Sequence, residues 1–410
     1  MTTVIGQGTT FNLPNFVGEL FAATPADTPF LSAIGGLTGG QIADSTLFTW
    51  QGYNLRDADT TRTRVEGAAA PPAENRRRFS VGNVVQVHQE TLDVSYTKLA
   101  STGQFAQPDS AHAAQFGVGG MNPVVNELDW QTRQALIQIA RDVNKSFISG
   151  RFANPTVNTA PRRTRGVMEA SVSNMSDRAT LIGAGNSAIA ANGTVTVGVA
   201  VALNTPVVAR AVRDPAAGNA PSPLIDDNQI YFTRDVTGTS FRLARRLGGP
   251  PIEFPNSTHV GDFFNTVPLT EAMILDLLQL VWDNGGISVS ETATLMVNST
   301  LKRALTQIFI TARGFQETSR NVGGVNMMTF ESDFGVLNIM LERSMPSGAV
   351  QVVSLDECAP VFLPIPDKGF LFVEPLAKVG AAERSQIYGE IGLRYGNEAS
   401  HGRLLGVRAA

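Results

Sequence analysis

Thr46-Leu47-Phe48-Thr49-Trp50-Gln51 and Phe79-Ser80-Val81-Gly82-Asn83-Val84-Val85 are two strand signals separated by a stretch with almost no apolar side chains. From the second signal onward Val81, Val85, Val87, Leu92, Val94 and Tyr96 recur mostly at even spacing, as a half-buried strand requires. Between the signals, Arg56, Arg62, Arg64, Arg76, Arg77 and Arg78 stand beside Asp57, Asp59, Glu66 and Glu74, with Ala68-Ala69-Ala70-Pro71-Pro72 at the tip. A polar excursion this long inside a hairpin is unusual in a compact domain. It reads as a ribbon built to project over residues 46–98.

Upstream, residues 1–45 are short on charge and broken by Pro14, Pro25, Pro29 and two Gly-Gly pairs. One short apolar helix fits at Phe16 to Ala23, and the rest is an extended arm. Such an arm has little core of its own and is ordered only by lying on something else. Downstream, residues 126–149 give the clearest helix. Asn126 suits the N-cap, with Glu127 and Asp129 in the first turn. Leu136, Ile139, Ala140, Val143 and Phe147 form one apolar stripe, and Gly150 ends the run. The polar link that follows holds Arg151, Arg162, Arg163 and Arg165. A cluster of this kind meets phosphates, and equally coats a solvated loop.

Residues 186–262 change character. Thr194-Val195-Thr196-Val197, Val207 to Val212, Gln229 to Thr233 and Ser240 to Ala244 are short strands separated by Gly, Pro and Asn turns. This predicts a small all-β unit inserted between helix-containing segments. From residue 268 the pattern returns to α/β. Thr270 caps a helix with Ile274, Leu277, Leu278 and Val281 on one face, Ala293 to Val297 is a buried strand, and Ser299 opens another helix. Further strands are expected at Met327–Phe330, Val336–Leu341, Val350–Leu355, Gly369–Val373, Gln386–Leu393 and Arg403–Val407.

The whole chain is 410 residues, with 32 Lys+Arg against 36 Asp+Glu. A net charge of −4 excludes a globally basic nucleic-acid binder, and 17% charged residues is a thin coat that favours protein contacts. The single cysteine, Cys358, excludes a disulfide framework and a multi-cysteine zinc site, and reads as a buried inert thiol. No apolar run reaches a membrane span, and the start carries no basic n-region, so neither a membrane nor a signal peptide is expected. No phosphate loop, zinc-binding helix, Cys-x-x-Cys or nucleophile elbow occurs. His88, His112, His259 and His401 lie in separate segments. No catalytic, cofactor-binding or metal-ligating residue is assigned, and no enzyme is expected.

The order of these parts resembles the major capsid proteins of tailed double-stranded-DNA bacteriophages, the Hong Kong 97-type fold. The likeness extends to wording. Thr28-Pro29-Phe30-Leu31-Ser32-Ala33-Ile34-Gly35 is similar to the family's N-terminal arm, and Phe48-Thr49-Trp50-Gln51 to the opening of its extended loop. Asn126-Glu127-Leu128 and Ala135 to Arg141 fit the spine helix. Met296-Val297-Asn298-Ser299, Asn321 to Val325, Phe334-Gly335-Val336, Asp356-Glu357 and Tyr395-Gly396-Asn397-Glu398-Ala399-Ser400-His401-Gly402 fit the rest. The resemblance covers most of residues 10–185 and 265–408. Tyr231 to Ala244 and Gly248 to Ile252 resemble a β module recurrent in phage structural proteins.

The resemblance implies an α+β fold in six parts: an arm (1–45), an extended loop hairpin (46–98), a peripheral domain (99–185), an inserted β domain (186–262), an axial domain (263–385) and returning C-terminal strands (386–410). It implies a shell of pentamers and hexamers around packaged double-stranded DNA, in a virion assembled in a bacterial cytoplasm, with scaffolding, portal and decoration proteins as further partners. Arg56, Arg62, Arg64, Glu66, Arg76, Arg77 and Arg78 are then interface residues of the loop. Phe11, Phe16, Phe21 and Phe30 are those of the arm, and Arg151, Arg162, Arg163 and Arg165 face DNA. A nanocompartment shell of the same fold and a minor virion component stay open as alternatives.

Overall fold

A computed structural model describes residues 26–409 except 54, 56–57, 71–74, 101–126, 217–218, 255–257, 288–292, 312–317 and 323–324. The expected helix at Phe16 to Ala23 and the cap Asn126 lie outside the described residues. The chain forms two compact units, one of residues 1–27, 89–139 and 372–388, the other of 28–88, 140–371 and 389–410. Their bounds cut across the six sequence segments.

The smaller unit holds residues 89–95 of strand Gln86–Ser95 and residues 382–388 of strand Ala382–Arg394, which pair with each other. Gln89 Nε2 donates to Gln386 Oε1 at 2.6 Å, and Arg384 pairs with Asp93 at 3.2 Å. The long helix, Glu127–Ser149, contributes its residues up to Ile139 to the smaller unit and the rest to the larger one. Ala135, Ile139, Val143, Phe147 and Ile148 are its buried apolar positions, a stripe at intervals of one helical turn.

The larger unit holds two separate cores. One lies under a seven-stranded sheet ordered Thr318–Val322, Val325–Ser332, Gly335–Leu341, Ala293–Val297, Ala349–Val353, Gly402–Leu405 and Met175–Asp177. Helix Glu271–Asp283 buries Ile274, Leu277, Leu278 and Val281 in this core, the face its spacing predicts. Asn298 caps helix Ser299–Leu305 by accepting the Thr300 N–H, one residue before the expected start. Strands Thr318–Val322 and Ala359–Phe362 carry no clear alternation and are additions to the sequence reading.

The second core fills the insert. Strand Pro206–Asp214 pairs with Ile230–Thr237, which pairs with Ser240–Ala244, then Thr194–Thr196, then Ser187–Ile189, then His259–Asn265. His259–Asn265 pairs back with Pro206–Asp214, so six strands close into an antiparallel barrel. Val195, Val207, Tyr231, Phe241, Leu243 and Phe263 are fully buried in it. The Phe241 and Phe263 rings meet edge to face at 5.8 Å. Burial pushes the Tyr231 phenol up to about 12, while its oxygen accepts the Asp226 N–H.

Candidate assembly surfaces

The hairpin follows from its sequence. Leu47–Tyr53 and Arg78–Val84 pair antiparallel from Leu47↔Val84 to Tyr53↔Arg78 and form a two-stranded sheet of their own. Beyond Tyr53 and Arg78, every described residue is exposed. Arg62, Arg64, Glu66, Arg76, Arg77 and Arg78 are among them, and Arg56 lies outside the described residues. Arg62 reaches Asp59 within the loop at 3.9 Å, and Arg78 Nη1 donates to Gln51 Oε1. The apolar side chains that punctuate the ribbon are also in water: Tyr53 is 67% exposed and Val65 80%. An exposed ribbon offering arginine forks, aromatic rings and open strand edges has the composition of an interface.

The root of the ribbon is fixed by its own chain. Asn83 is fully buried, and its amide is fully used. Nδ2 donates to Leu393 O at 2.7 Å and to Arg165 O at 3.1 Å; Oδ1 accepts from the Arg165 N–H at 2.8 Å and the Val84 N–H at 2.9 Å. On the same face, Trp50 Nε1 donates to Gly396 O at 2.7 Å, and its ring meets Tyr395 edge-on at 4.9 Å. The Phe48 ring lies over Gly392, where an added Cβ would sit 2.7 Å from it, so only glycine fits that strand position. Sequence reasoning missed Asn83. Its signal is a lone amide inside Val81-Gly82-Asn83-Val84-Val85, a polar group that a buried strand keeps only with partners.

The segment that holds Trp50 is Tyr395 to Gly402, and its acidic flank is Glu357. Glu357 accepts the Asn397 N–H at 2.6 Å and the Ser400 hydroxyl at 2.7 Å. Glu398 takes the Val172 and Ser173 amides and the Ser173 hydroxyl. His401 is fully buried; Nε2–H donates to Tyr395 O at 2.6 Å, and Nδ1 accepts the Ser354 N–H. Burial holds its pKa below the ordinary value. Cys358 is buried too, and burial raises its thiol pKa, which leaves it inert.

The arm reading needs correction at Phe30. Phe11, Phe16 and Phe21 lie outside the described residues, but Phe30 is 0% exposed within its own subunit. Short helix Pro29–Ala33 is held by side chains: Glu342 Oε2 accepts the Phe30 N–H at 3.1 Å, and Asn144 Oδ1 accepts the Leu31 N–H at 2.9 Å. Asn144 also donates to Glu342 Oε1, which takes the Ser344 N–H as well. The two helix-opening amides would otherwise be orphaned in the core, and these acceptors satisfy them. Gln41–Ile42 then pairs parallel with Ala359–Phe362. Residues 28–43 are therefore stitched to their own chain, and Phe30 is not a contact to a neighbour.

The four clustered arginines differ in their partners. Arg151 pairs with Asp227, and Arg162 with Glu390 at 2.9 Å. Arg165 lies over the Phe152 ring at 4.6 Å and donates to the Tyr395 hydroxyl. Arg163 forms a backbone bridge with Ala153, and its guanidinium has no acidic partner among the described residues.

The profile of the SU10 major capsid protein family matches residues 3–408. The chain belongs to the SU10 major capsid protein family. The major capsid protein of Escherichia phage Phieco32 is 24% identical over 397 residues, which is 95% of this chain and 93% of that one. The cyanophage A-1(L) capsid asymmetric unit superposes with a TM-score of 0.52 at 10% identity, covering 98% of this chain and 99% of that one. The capsid of the native GTA particle gives 0.48 at 11% identity over the whole of both chains. The chain thus has the Hong Kong 97-type fold. As an SU10-family major capsid protein it is a self-assembling shell subunit of a phage virion.

Proposed function

We propose that this subunit closes its shell through pentamers and hexamers in which the ribbon at 46–98 reaches across to an adjacent copy. The observation that carries the reading is the contrast along the ribbon: a fully hydrogen-bonded root at Asn83 and Trp50, and an exposed tip rich in arginine. A rigid root fixes the direction of reach, and Arg62, Arg64, Arg76, Arg77 and Arg78, with Arg56, provide forks for acidic groups opposite, while Glu66 accepts from a basic one. Each exposed pair contributes at most about 1 kcal/mol. Many copies in a closed shell add through multivalency. Phe11, Phe16 and Phe21 are the arm's candidates for burial on a neighbour.

Packaged double-stranded DNA lies inside, and Arg163 is the arginine of its cluster best placed to meet phosphate, since its neighbours are engaged by their own chain. Scaffolding, portal and decoration proteins are further partners in assembly, which takes place in the bacterial cytoplasm. The subunit works by binding, without catalysis. Negative-stain microscopy of the purified chain tests the shell reading. Closed particles or capsomer-sized rings are expected from the natural chain, and ring or shell loss from a chain whose residues 58–76 are replaced by a short Gly-Ser turn. Unchanged particles from the shortened chain would sink the role given to the ribbon.

A further inference from the structure

The barrel is an insert with its own core, yet five consecutive residues on it all engage the body of the subunit. Asp226 Oδ1 meets Lys145 Nζ at 2.8 Å, and Asp227 Oδ2 meets Arg151. Lys145 lies in the last turns of the long helix, and Arg151 just beyond it. Asn228 O accepts the Gly348 N–H at 3.0 Å, Gln229 Oε1 accepts the Ser347 N–H at 3.1 Å, and the Ile230 N–H donates to Ser347 Oγ at 3.0 Å. An added Cβ at Gly348 would sit 2.5 Å from Asn228 O, so the two backbones are in direct contact. Beside them Arg210 grips Asp177 with both Nη atoms, at 2.5 and 3.0 Å, donates from Nε to Asn228 Oδ1, and stacks over Phe264. Burial works against the Asp177 carboxylate, but the Arg210 and Ala179 hydrogen bonds and the Arg210 and Arg403 charges outweigh it, and its pKa falls below the ordinary value.

These ties are of two kinds. Those to Asp177, Ser347 and Gly348 are mostly backbone hydrogen bonds and a bidentate pair. Those to the helix end are single ion pairs between side chains that remain partly in water. Asp227 joins the second kind to the barrel's own backbone. Its Oδ1 accepts the N–H of Ala211, a non-glycine residue at φ +52° in a bulge of strand Pro206–Asp214. A left-handed alanine is strained and persists only where its surroundings over-determine it.

We propose that Asp226 and Asp227 form a releasable latch between the barrel and the end of the long helix, with the Asp177–Arg210, Gly348–Asn228 and Ser347–Ile230 ties as its fixed hinge. Arg151 orients the Asp227 carboxylate, the carboxylate holds the strained Ala211 bulge, and the bulge sets the course of the barrel strand. A shift of the helix end is then passed to the barrel. The inference concerns one subunit and does not depend on how copies contact one another.

Amide hydrogen exchange on the full unassembled chain tests it. Arg151→Ala and Asp227→Asn are both expected to speed exchange across 210–214 by about tenfold, the factor for losing a hydrogen bond to a fully oriented charged group. Exchange across 187–196 and 240–244 stays at the natural rate, and Arg151→Lys restores most of the protection at 210–214. Unchanged exchange at 210–214 in Arg151→Ala would overturn the latch. So would equal acceleration in all barrel strands, which would mean that the barrel itself had loosened.

Discussion

The ribbon and the barrel are both additions to the central fold, and they solve opposite problems. The ribbon has two strands, no core and two open edges. A free two-stranded hairpin is marginal in water, and open edges invite pairing with other chains. Its order comes from the root, where Asn83 is bonded to strand Ala382–Arg394 and Trp50 to the loop that follows it. The barrel has a closed ring of strands and its own buried aromatics, so its core is supplied from within. What it lacks is a direction, and the Asp226–Ile230 ties supply one. A part without a core must be completed from outside, whereas a part with a core need only be aimed.

Four measurements would break or sharpen that contrast. The largest effect is expected inside the barrel: Phe241→Ala opens a cavity beside Phe263 and should cost about 3–5 kcal/mol, read as a lowered denaturation midpoint of the barrel. A shift as small as that of a surface substitution would deny the barrel a core of its own. Asn83→Ala strands four backbone groups at the ribbon root and should cost about 3 kcal/mol, with loss of assembly in electron micrographs. Normal shells from that variant would show that the root does not aim the ribbon.

A smaller effect is expected from acid. Burial lowers the His88 pKa from 6.5 to about 4, and its Nε2 has no hydrogen-bond partner among the described residues. The unfolded chain therefore binds this proton more readily than the folded one, and stability falls as pH drops from 6.5 towards 4. Denaturant titrations should lose about 2 kcal/mol between pH 7 and pH 5 from this group, a loss that His88→Phe removes. The smallest effect on the isolated chain belongs to the ribbon tip. Arg64→Ala with Arg77→Ala should move its stability by less than about 0.5 kcal/mol while slowing assembly and flattening its salt dependence, followed by light scattering. Assembly at the natural rate would leave the arginines without a role.

The sequence was most legible where periodicity is strong. The long helix, the face of helix Glu271–Asp283 and the strands of the insert fall where spacing puts them. Closure of the barrel was not legible, because it depends on His259–Asn265 pairing with two strands far apart in the chain. Phe30 was misread for a related reason. An arm poor in core residues looks outward in sequence, yet Glu342 and Asn144, 312 and 113 residues away from their amide partners, turn it inward. Arg151, Arg162 and Arg165 showed their charge but not their partners, since Asp227, Glu390 and the Tyr395 hydroxyl come from other segments.

The barrel also has a neat seam. Leu181, where the chain goes in, and Phe264, where it comes out, are paired rungs of one ladder, as are Thr180 and Asn265. A gene cut at those two points and rejoined by a tight turn would need no rerouting of the polypeptide on either side. Such a cassette is easy to gain, lose or exchange by recombination. The grafted piece would arrive folded, and it would still have to evolve its own counterparts to Lys145 and Arg151 before it stood upright.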